Sequence, residues 1–216
     1  IKKFIYSSSA IVYHPSNKAP FKENYKLGAI NPYGETKLII EDYLKNFCKY
    51  NKSFTAICLR YFNPVGADVS GLLGEEVNSK SKNLIPNIYK AIVNKKGILK
   101  IFGKNHNTKD GTCIRDFIHI NDLVNGHLSA LNYLINKSGW FVINLGTGKG
   151  YSVLDVVKCF QKILKIKIKI KYTKKRKGDV SVSYANVDKA RKYLRWKARL
   201  NLYDMCKSFC LWKKLI

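Results

Sequence analysis

Acidic residues are scarce: 14 Asp and Glu stand against 40 Lys and Arg in 216 residues, a formal net charge of +26. An excess of this size ordinarily suggests nucleic acid or an anionic membrane as partner. Here the lysines are scattered through every stretch among Ile, Asn and Tyr, and no recognised nucleic-acid module accompanies them. The excess therefore reads as compositional bias, and neither nucleic acid nor membrane is expected as a partner. Long apolar runs are missing too, and nothing approaches the roughly 20 residues of a membrane span. The six cysteines (Cys48, Cys58, Cys113, Cys159, Cys206, Cys210) contain no C-x-x-C pair. Buried free thiols in a reducing cytoplasm are the expectation, not a disulfide framework or a zinc site. His14, His106, His119 and His127 lack metal-ligand spacing, so no metal is expected. A G-x-G-x-x-G turn is absent as well. The nearest candidate, NLGTGKGYSVLDVV, has Tyr at position 151 and reads as a tight turn followed by a capping box of Ser152 with Asp155.

What is present is a chain with 46% hydrophobic residues, long enough for one large or two small domains with a real core. Its organising stretch is NPYGETKLIIEDYLKNF, from Asn31 to Phe47. Pro32 suits a first helical position, and Leu38, Ile40, Leu44 and Phe47 recur at helical spacing. Tyr33 and Lys37 then share one face. A phenol titrates near pH 10, so it serves as a base at neutral pH only when its phenolate is stabilised. An ammonium one helical turn away is expected to lower its pKa in this way. Upstream, KKFIYSSSAIVYH reads as a strand ending in Ser7, Ser8 and Ser9, and the carboxyl ends of strands are where open α/β sheets place ligands. Downstream, FTAICLRYFNPVG reads as a second strand that stops at Asn63-Pro64.

Further along, the stretch from Asp68 to Lys82 reads as a loop, and an apolar helix runs from Leu84 towards Val93. GILKIFG is a short strand, and the stretch from Lys104 to Thr112 is polar and turns. RDFIHINDLVNGHLSALNYL reads as a strand followed by a helix capped by Asn121 or Asp122. KIKIKIK, from Lys165 to Lys171, alternates over seven residues and reads as a strand with one lysine face. DKARKYL and LYDMCKSFCLW close the chain as amphipathic segments.

Taken in order, these segments together with RYFNPVGA and GTCIRDFIH resemble the extended short-chain dehydrogenase family, and within it the UDP-glucose 4-epimerases. The likeness runs over essentially the whole chain. It implies an α/β fold: the C-terminal part of a doubly wound, Rossmann-like parallel sheet, then a smaller mixed α/β substrate domain. Residues 1–65 would be the second half of the NAD-binding domain. Residues 66–216 would be mainly the UDP-sugar domain, with strand 141–145 returning to the main sheet. In that family bound NAD takes a hydride from C4 of the hexose while a tyrosine takes the O4 proton, and hydride returns to the other face of a 4-keto sugar. By motif, the resemblance implies Tyr33 as the base, Lys37 as the partner that holds the nicotinamide ribose, Ser9 as the proton relay and Phe62 as a cofactor contact. Arg115 and Arg176 correspond to diphosphate ligands; Asn63, Asn83, Leu84, Lys100, Ile101, Phe102 and Asp179 correspond to sugar and uridine contacts. The excess of positive charge would attract such a nucleotide diphosphate. A homodimer in the cytoplasm is the corresponding expectation.

The chain opens on Ile1, and the family's cofactor fingerprint lies N-terminal to the matched region. The 216 residues by themselves are therefore expected to be inactive or poorly folded. The family's pattern is broken at two places. His14 follows Val12-Tyr13 where glycine is usual, which would strain a turn needing positive φ. Ser183 stands where glucose-restricted members carry a bulky tyrosine, which implies room for a 2-acetamido group and hence for UDP-GlcNAc and UDP-GalNAc. A 4,6-dehydratase is disfavoured, because Ala10 and Ile11, not an acid pair, follow Ser9. Other nucleotide-sugar epimerases or decarboxylases, or a truncated non-catalytic remnant, are the alternatives.

Overall fold

Strand-forming and helix-forming segments alternate along the chain, and that order leads to a parallel sheet with helices on its faces. The computed structural model describes residues 1–78, 81, 83–94, 97–176 and 178–216. Strand β1 (Lys3–Ser9) leads through a single 3-10 turn (Ala10–Val12) and a loop into helix α1 (Pro32–Tyr50) and strand β2 (Thr55–Tyr61). Next come β3 (Asn63–Val65), α2 (Leu84–Val93), β4 (Leu99–Phe102), β5 (Ile114–Arg115) and β6 (Phe117–His119). The second half holds α3 (Ile120–Leu134), β7 (Gly139–Leu145), β8 (Tyr151–Ser152), α4 (Val153–Leu164), β9 (Ile170–Thr173), β10 (Val182–Ser183), α5 (Asp188–Leu194) and α6 (Leu202–Trp212). The class is α/β.

The main sheet is parallel, in the order β1-β2-β7. Ser9 lies level with Tyr61, and Tyr61 with Leu145, so the three strands end together at one carboxyl edge. Strand β2 is buried from Thr55 to Arg60, as a parallel strand covered on both faces must be. On one face Ile57, Leu59, Ile143 and Leu145 pack against Leu123, Ala130 and Leu134 of α3. On the other, Ala56 and Cys58 pack against Leu44 and Cys48 of α1. A separate core joins Ile88 of α2, Leu99 and Ile101 of β4, Val156 and Phe160 of α4, and Phe209 of α6. Smaller pieces of sheet surround it: β3 with β6, β4 with β9, and β10-β5-β8.

Helix α1 begins where its chemistry dictates: Pro32 occupies the first turn, and the Asn31 side chain accepts the Gly34 amide at 2.9 Å. Its inward face includes a carboxylate. Glu41 is buried and meets Arg60, the charged residue of β2. Nε of Arg60 donates to Glu41 Oε1 at 2.9 Å and Nη2 to Oε2 at 2.5 Å, while Ser8 donates to Oε1 at 2.5 Å. The other side of the guanidinium donates from Nη1 to the Glu23 carbonyl at 3.1 Å and lies 5.0 Å from the Tyr13 ring centre. Tyr13 donates to Asn144 on β7 at 2.6 Å, and the Asn144 amide donates to the Glu23 carboxylate at 2.9 Å. The ends of all three main strands and the loop before α1 are thereby tied into one buried polar network.

Several sequence expectations need correction. Helix α3 starts at Ile120 and is capped by His119, whose Nδ1 accepts the Asn121 amide at 3.1 Å; neither Asn121 nor Asp122 is the cap. Strand β6 runs straight into the helix, and Asp122 is engaged elsewhere, accepting the Arg199 and Leu200 amides at 2.9 and 2.8 Å. The KIKIKIK stretch is strand only from Ile170. Helix α4 reaches Leu164 and ends on Lys165 at φ 54°, and Ile168 then donates to the Gln161 side chain at 2.9 Å, so the alternating residues are spent on leaving the helix. Among the described residues, positive φ outside glycine falls at Lys165, Arg195 and Lys214, so His14 carries no such strain. Of the loop expected from Asp68 to Lys82, Ser79, Lys80 and Lys82 lie outside the described residues.

Removing one partner of a buried ion pair leaves the other charge uncompensated, which costs about 3–5 kcal/mol. Arg60→Met is expected to lower unfolding free energy by about that amount in chemical denaturation, and Arg60→Met with Glu41→Leu to recover most of the loss.

Candidate active site

The carboxyl edge of the main sheet presents β1's three serines in alternating directions, as a strand must. Ser8 faces α1 and Glu41, whereas the Ser7 hydroxyl lies 3.2 Å from His127 Nε2 on α3. Ser9 comes last; its hydroxyl accepts the Ile11 amide at 3.3 Å and its side chain lines a cavity. Tyr33 faces the same cavity from the first turn of α1 and is 54% exposed, which leaves the phenol open to a ligand.

Lys37 lies one helical turn on, with Nζ 5.4 Å from the centre of the Tyr33 ring and 5.1 Å from that of Tyr6. Its ammonium donates to the Ser7 carbonyl at 2.9 Å. The ammonium is thus held against two ring faces and a carbonyl. The Tyr33 pKa is raised, by burial first and by Tyr61 second, where the sequence led to the expectation of a lowered one.

The cavity, of about 520 Å³, is lined by Ser9 and Tyr33 together with Arg115, Arg176 and Asp179. Phe62, Asn63, Asn83, Leu84, Lys100, Ile101 and Phe102 line its walls. An adjoining recess of about 390 Å³ shares Ser9, Phe62, Asn63, Arg115, Arg176 and Asp179 and adds Ser183. Every residue singled out from the sequence except Lys37, which stands behind Tyr33, lines one or both.

The two arginines are held differently. Arg115 Nη2 lies 3.5 Å from Asp179 Oδ1, while Nη1 donates to the Ile114 carbonyl at 2.9 Å. The Arg176 guanidinium sits 3.9 Å above the Phe102 ring centre. Two guanidinium forks against one carboxylate make their surroundings electropositive, a setting suited to phosphate oxygens. Asn63 donates to the Asp116 carbonyl at 2.9 Å, which fixes its carboxamide in the wall. Asn83 holds the N-cap position of α2 with no side-chain capping bond, and Phe62 is both core and lining.

Sequence reasoning missed a buried carboxylate next in the chain to the cavity-lining Arg115. Asp116 is fully buried; Oδ1 accepts the Thr147 amide at 2.8 Å and its hydroxyl at 2.6 Å, and Oδ2 accepts the Gly148 and Ala185 amides at 3.0 and 3.1 Å. A Cβ at position 146 would fall 2.5 Å from Oδ2, so glycine is required there. The glycine-rich turn therefore spends its amides on a protein carboxylate. Ser152 and Asp155 form the expected capping box behind it. The available signal was an Asp directly after Arg115 at the mouth of an apolar strand.

His119 lies against the cavity-lining Gly66. Its Nε2 lies 2.9 Å from the Ser208 hydroxyl, which accepts the Ala67 amide at 3.1 Å beside the cavity-lining Gly66 and donates to the Met205 carbonyl at 3.1 Å. With Nδ1 accepting and Nε2 donating, the ring is neutral, and burial lowers its pKa.

Residues 1–146 match the model of the NAD dependent epimerase/dehydratase family. The chain is 45% identical over its whole length to the UDP-glucose 4-epimerase of Dictyostelium discoideum and 41% identical over 99% of its length to that of Bacillus subtilis, covering 63% of each. The crystal structure of UDP-glucose 4-epimerase from Bifidobacterium longum in complex with NAD+ and UDP superposes with a TM-score of 0.92 at 42% identity, over 99% of this chain and 64% of that one. The chain thus spans less than two thirds of the length of these relatives.

The lowered pKa of His119 has a thermodynamic consequence. The unfolded imidazole titrates near pH 6.5, so between that value and the folded pKa the unfolded chain binds the extra proton. Stability from the neutral ring is complete above about pH 6.5 and is lost as pH falls through the folded pKa. Urea midpoints are expected to drop between pH 7.5 and 5.5, and to drop less in His119→Gln. His106, whose pKa is lowered by burial and by Lys175, contributes slope of the same sign.

Proposed function

The chain belongs to the NAD dependent epimerase/dehydratase family, and from that footing we propose that the whole protein interconverts UDP-glucose and UDP-galactose at C4, through a transient 4-keto sugar with bound NAD. One observation carries the reading: a single cavity is lined by Ser9, by Tyr33 and by two guanidinium groups, those of Arg115 and Arg176. Such a cavity fits a ligand with a hydroxyl to deprotonate and a diphosphate to hold.

The residues also fit the cofactor. Ser9, Tyr33 and Phe62 converge at the carboxyl edge of parallel strands, where nucleotide cofactors sit. Lys37, an ammonium with three donors, uses one on the Ser7 carbonyl and would hold the nicotinamide ribose with another. NAD, when bound, supplies a reversible acceptor for the C4 hydride. The phenol oxygen of Tyr33 takes and returns the proton at O4, and the Ser9 hydroxyl relays it. Arg115 and Arg176 grip the diphosphate while the sugar turns. Asn63, Asn83, Leu84, Lys100, Ile101, Phe102 and Asp179 contact the sugar and uridine, and Phe62 lies against the cofactor. Ser183, small and set in the adjoining recess, leaves room for a 2-acetamido group, which extends the substrates to UDP-GlcNAc and UDP-GalNAc.

Residues 1–65 together with β7 are the cofactor-side unit of this reading, and the remainder of 66–216 is the sugar-nucleotide unit. Ile39, Tyr43 and Tyr50 are exposed on α1 and supply an apolar face for a homodimer. The six cysteines are free thiols, which supports a reducing, cytoplasmic setting. Among the described residues no helix is long and apolar enough to cross a membrane.

The test is UDP-galactose turnover by the whole protein supplied with NAD. Tyr33→Phe is expected to lose roughly 10²- to 10⁴-fold in kcat while UDP binding persists. Lys37→Met is expected to raise the NAD concentration needed for half-maximal turnover, because the ammonium donor to the nicotinamide ribose is lost. A whole protein that binds UDP yet turns over neither hexose would overturn the epimerase reading. Inactivity on the acetamido pair in a protein active on UDP-galactose would remove the role given to Ser183.

A further inference from the structure

The cavity wall holds a thiol that the epimerisation does not use. Cys113 immediately precedes β5, lines the cavity and is 6% exposed. His106 Nε2 stands 3.2 Å from its sulfur, with Nδ1 farther off at 3.7 Å. Nδ1 itself lies 3.1 Å from the Ser181 hydroxyl. One tautomer suits both contacts: Nδ1–H donates to Ser181 Oγ, and the Nε2 lone pair faces the thiol. That is the arrangement of a nucleophile, a base and a group that orients the base.

The surroundings hold the ring in place. His106 is buried, and its amide donates to the Gly111 carbonyl at 3.0 Å. Gly103 has φ 81°, and a Cβ there would fall 2.5 Å from His106 Nε2, so the glycine leaves the space that the imidazole fills. The charged groups facing the pair are Arg115 and Lys175, both cationic, and the Asp179 carboxylate. Burial pushes the thiol pKa up and the imidazole pKa down, so the resting pair is neutral. Charge then develops only during attack, with His106 taking the proton and two cations nearby to favour the thiolate.

We propose that Cys113, assisted by His106, is a covalent modification site at which a small anionic disulfide forms a mixed disulfide and closes the cavity to nucleotides. The anionic character follows from Arg115 and Arg176, which line the same cavity. In the step, His106 Nε2 takes the thiol proton as Sγ attacks one sulfur of the disulfide. A new S–S bond forms, the original one breaks, and the other half departs as a thiolate that is then protonated. Cys113 is oxidised and the departing half is reduced, so a thiol reductant restores the free cysteine. The blocking effect rests on the reading of this cavity as a nucleotide-diphosphate site; the thiol exchange does not.

The test uses the full-length protein with glutathione disulfide at pH 7, followed by peptide mass spectrometry over time. Cys48, buried on α1 outside both cavities with its thiol likewise pushed up by burial, serves as the internal comparison. Cys113 is expected to gain the adduct faster than Cys48, and UDP to protect it. Dithiothreitol is expected to reverse the adduct. His106→Gln is expected to slow the exchange at least about tenfold. Ser181→Ala, a milder change, is expected to slow it less, and circular dichroism checks that both variants are folded. An unchanged Cys113 rate in both folded variants, or no adduct where the urea-unfolded chain forms one, overturns the proposal. Rapid, His106-dependent exchange without UDP protection retains the activated thiol but overturns the closure, and with it the nucleotide reading of the cavity.

Discussion

Two opposite charges buried side by side determine where everything else in the site can stand. Arg60 and Glu41 are almost entirely withdrawn from water, and each is the other's main compensation. A pair of this kind adds little net stability, because desolvation offsets most of its attraction, yet it punishes misplacement heavily. Sliding α1 by one turn along β2 would leave both charges unpaired. Tyr33 and Lys37 ride on that helix, so their position relative to the sheet edge is inherited from a contact deep in the core. Ser8 links the same carboxylate to β1, two residues of which, Ser7 and Ser9, bind Lys37 and line the cavity. One buried carboxylate thereby connects base, lysine and serine.

The chain beside Arg115 uses the same physics with different partners. Asp116 accepts four hydrogen bonds and meets no cation among the described residues, and it draws the Thr147–Gly148 turn and the backbone at Ala185 onto the strand that follows Arg115. His119 does this beside Gly66, joining the end of β6 to α6 through Ser208. In each case a polar group that would be costly to bury alone is satisfied from elements distant in sequence, and the apolar walls between need only fill space. The cavity-lining arginines are less constrained. Arg115 shares its charge with Asp179, and Arg176 rests on an aromatic ring, so both keep donors for a ligand.

What the sequence made legible was local. The strand-like run before the serines, the helix opened by Asn31 and Pro32, and the one-turn spacing of Tyr33 and Lys37 all follow from periodicity and capping, and they place the pair on a common face. Motif resemblance extended this to the cavity walls. What escaped was long-range. Nothing near Arg60 in the chain announces Glu41, and nothing beside Asp116 announces the amides it collects. The cap of α3 went to His119 because Asp122, the better local candidate, is needed by the segment around Arg199. The alternating lysine stretch was misread because strand periodicity carries no information about where the preceding helix stops. The Tyr33 pKa is high because burial and the neighbouring Tyr61, a residue of another element, decide it, and the spacing to Lys37 says nothing of either.

The parallel pairing of Thr55–Tyr61 with Gly139–Leu145 shapes how the protein is made. During synthesis β2 leaves the ribosome long before β7, and a long crossover must form before that pairing closes. Throughout the interval an apolar strand, its Arg60 already facing Glu41 of the preceding helix, waits with one edge open. The burden on chaperones should therefore peak while residues between these two strands are being translated, and fall once Asn144 emerges to lock the sheet edge.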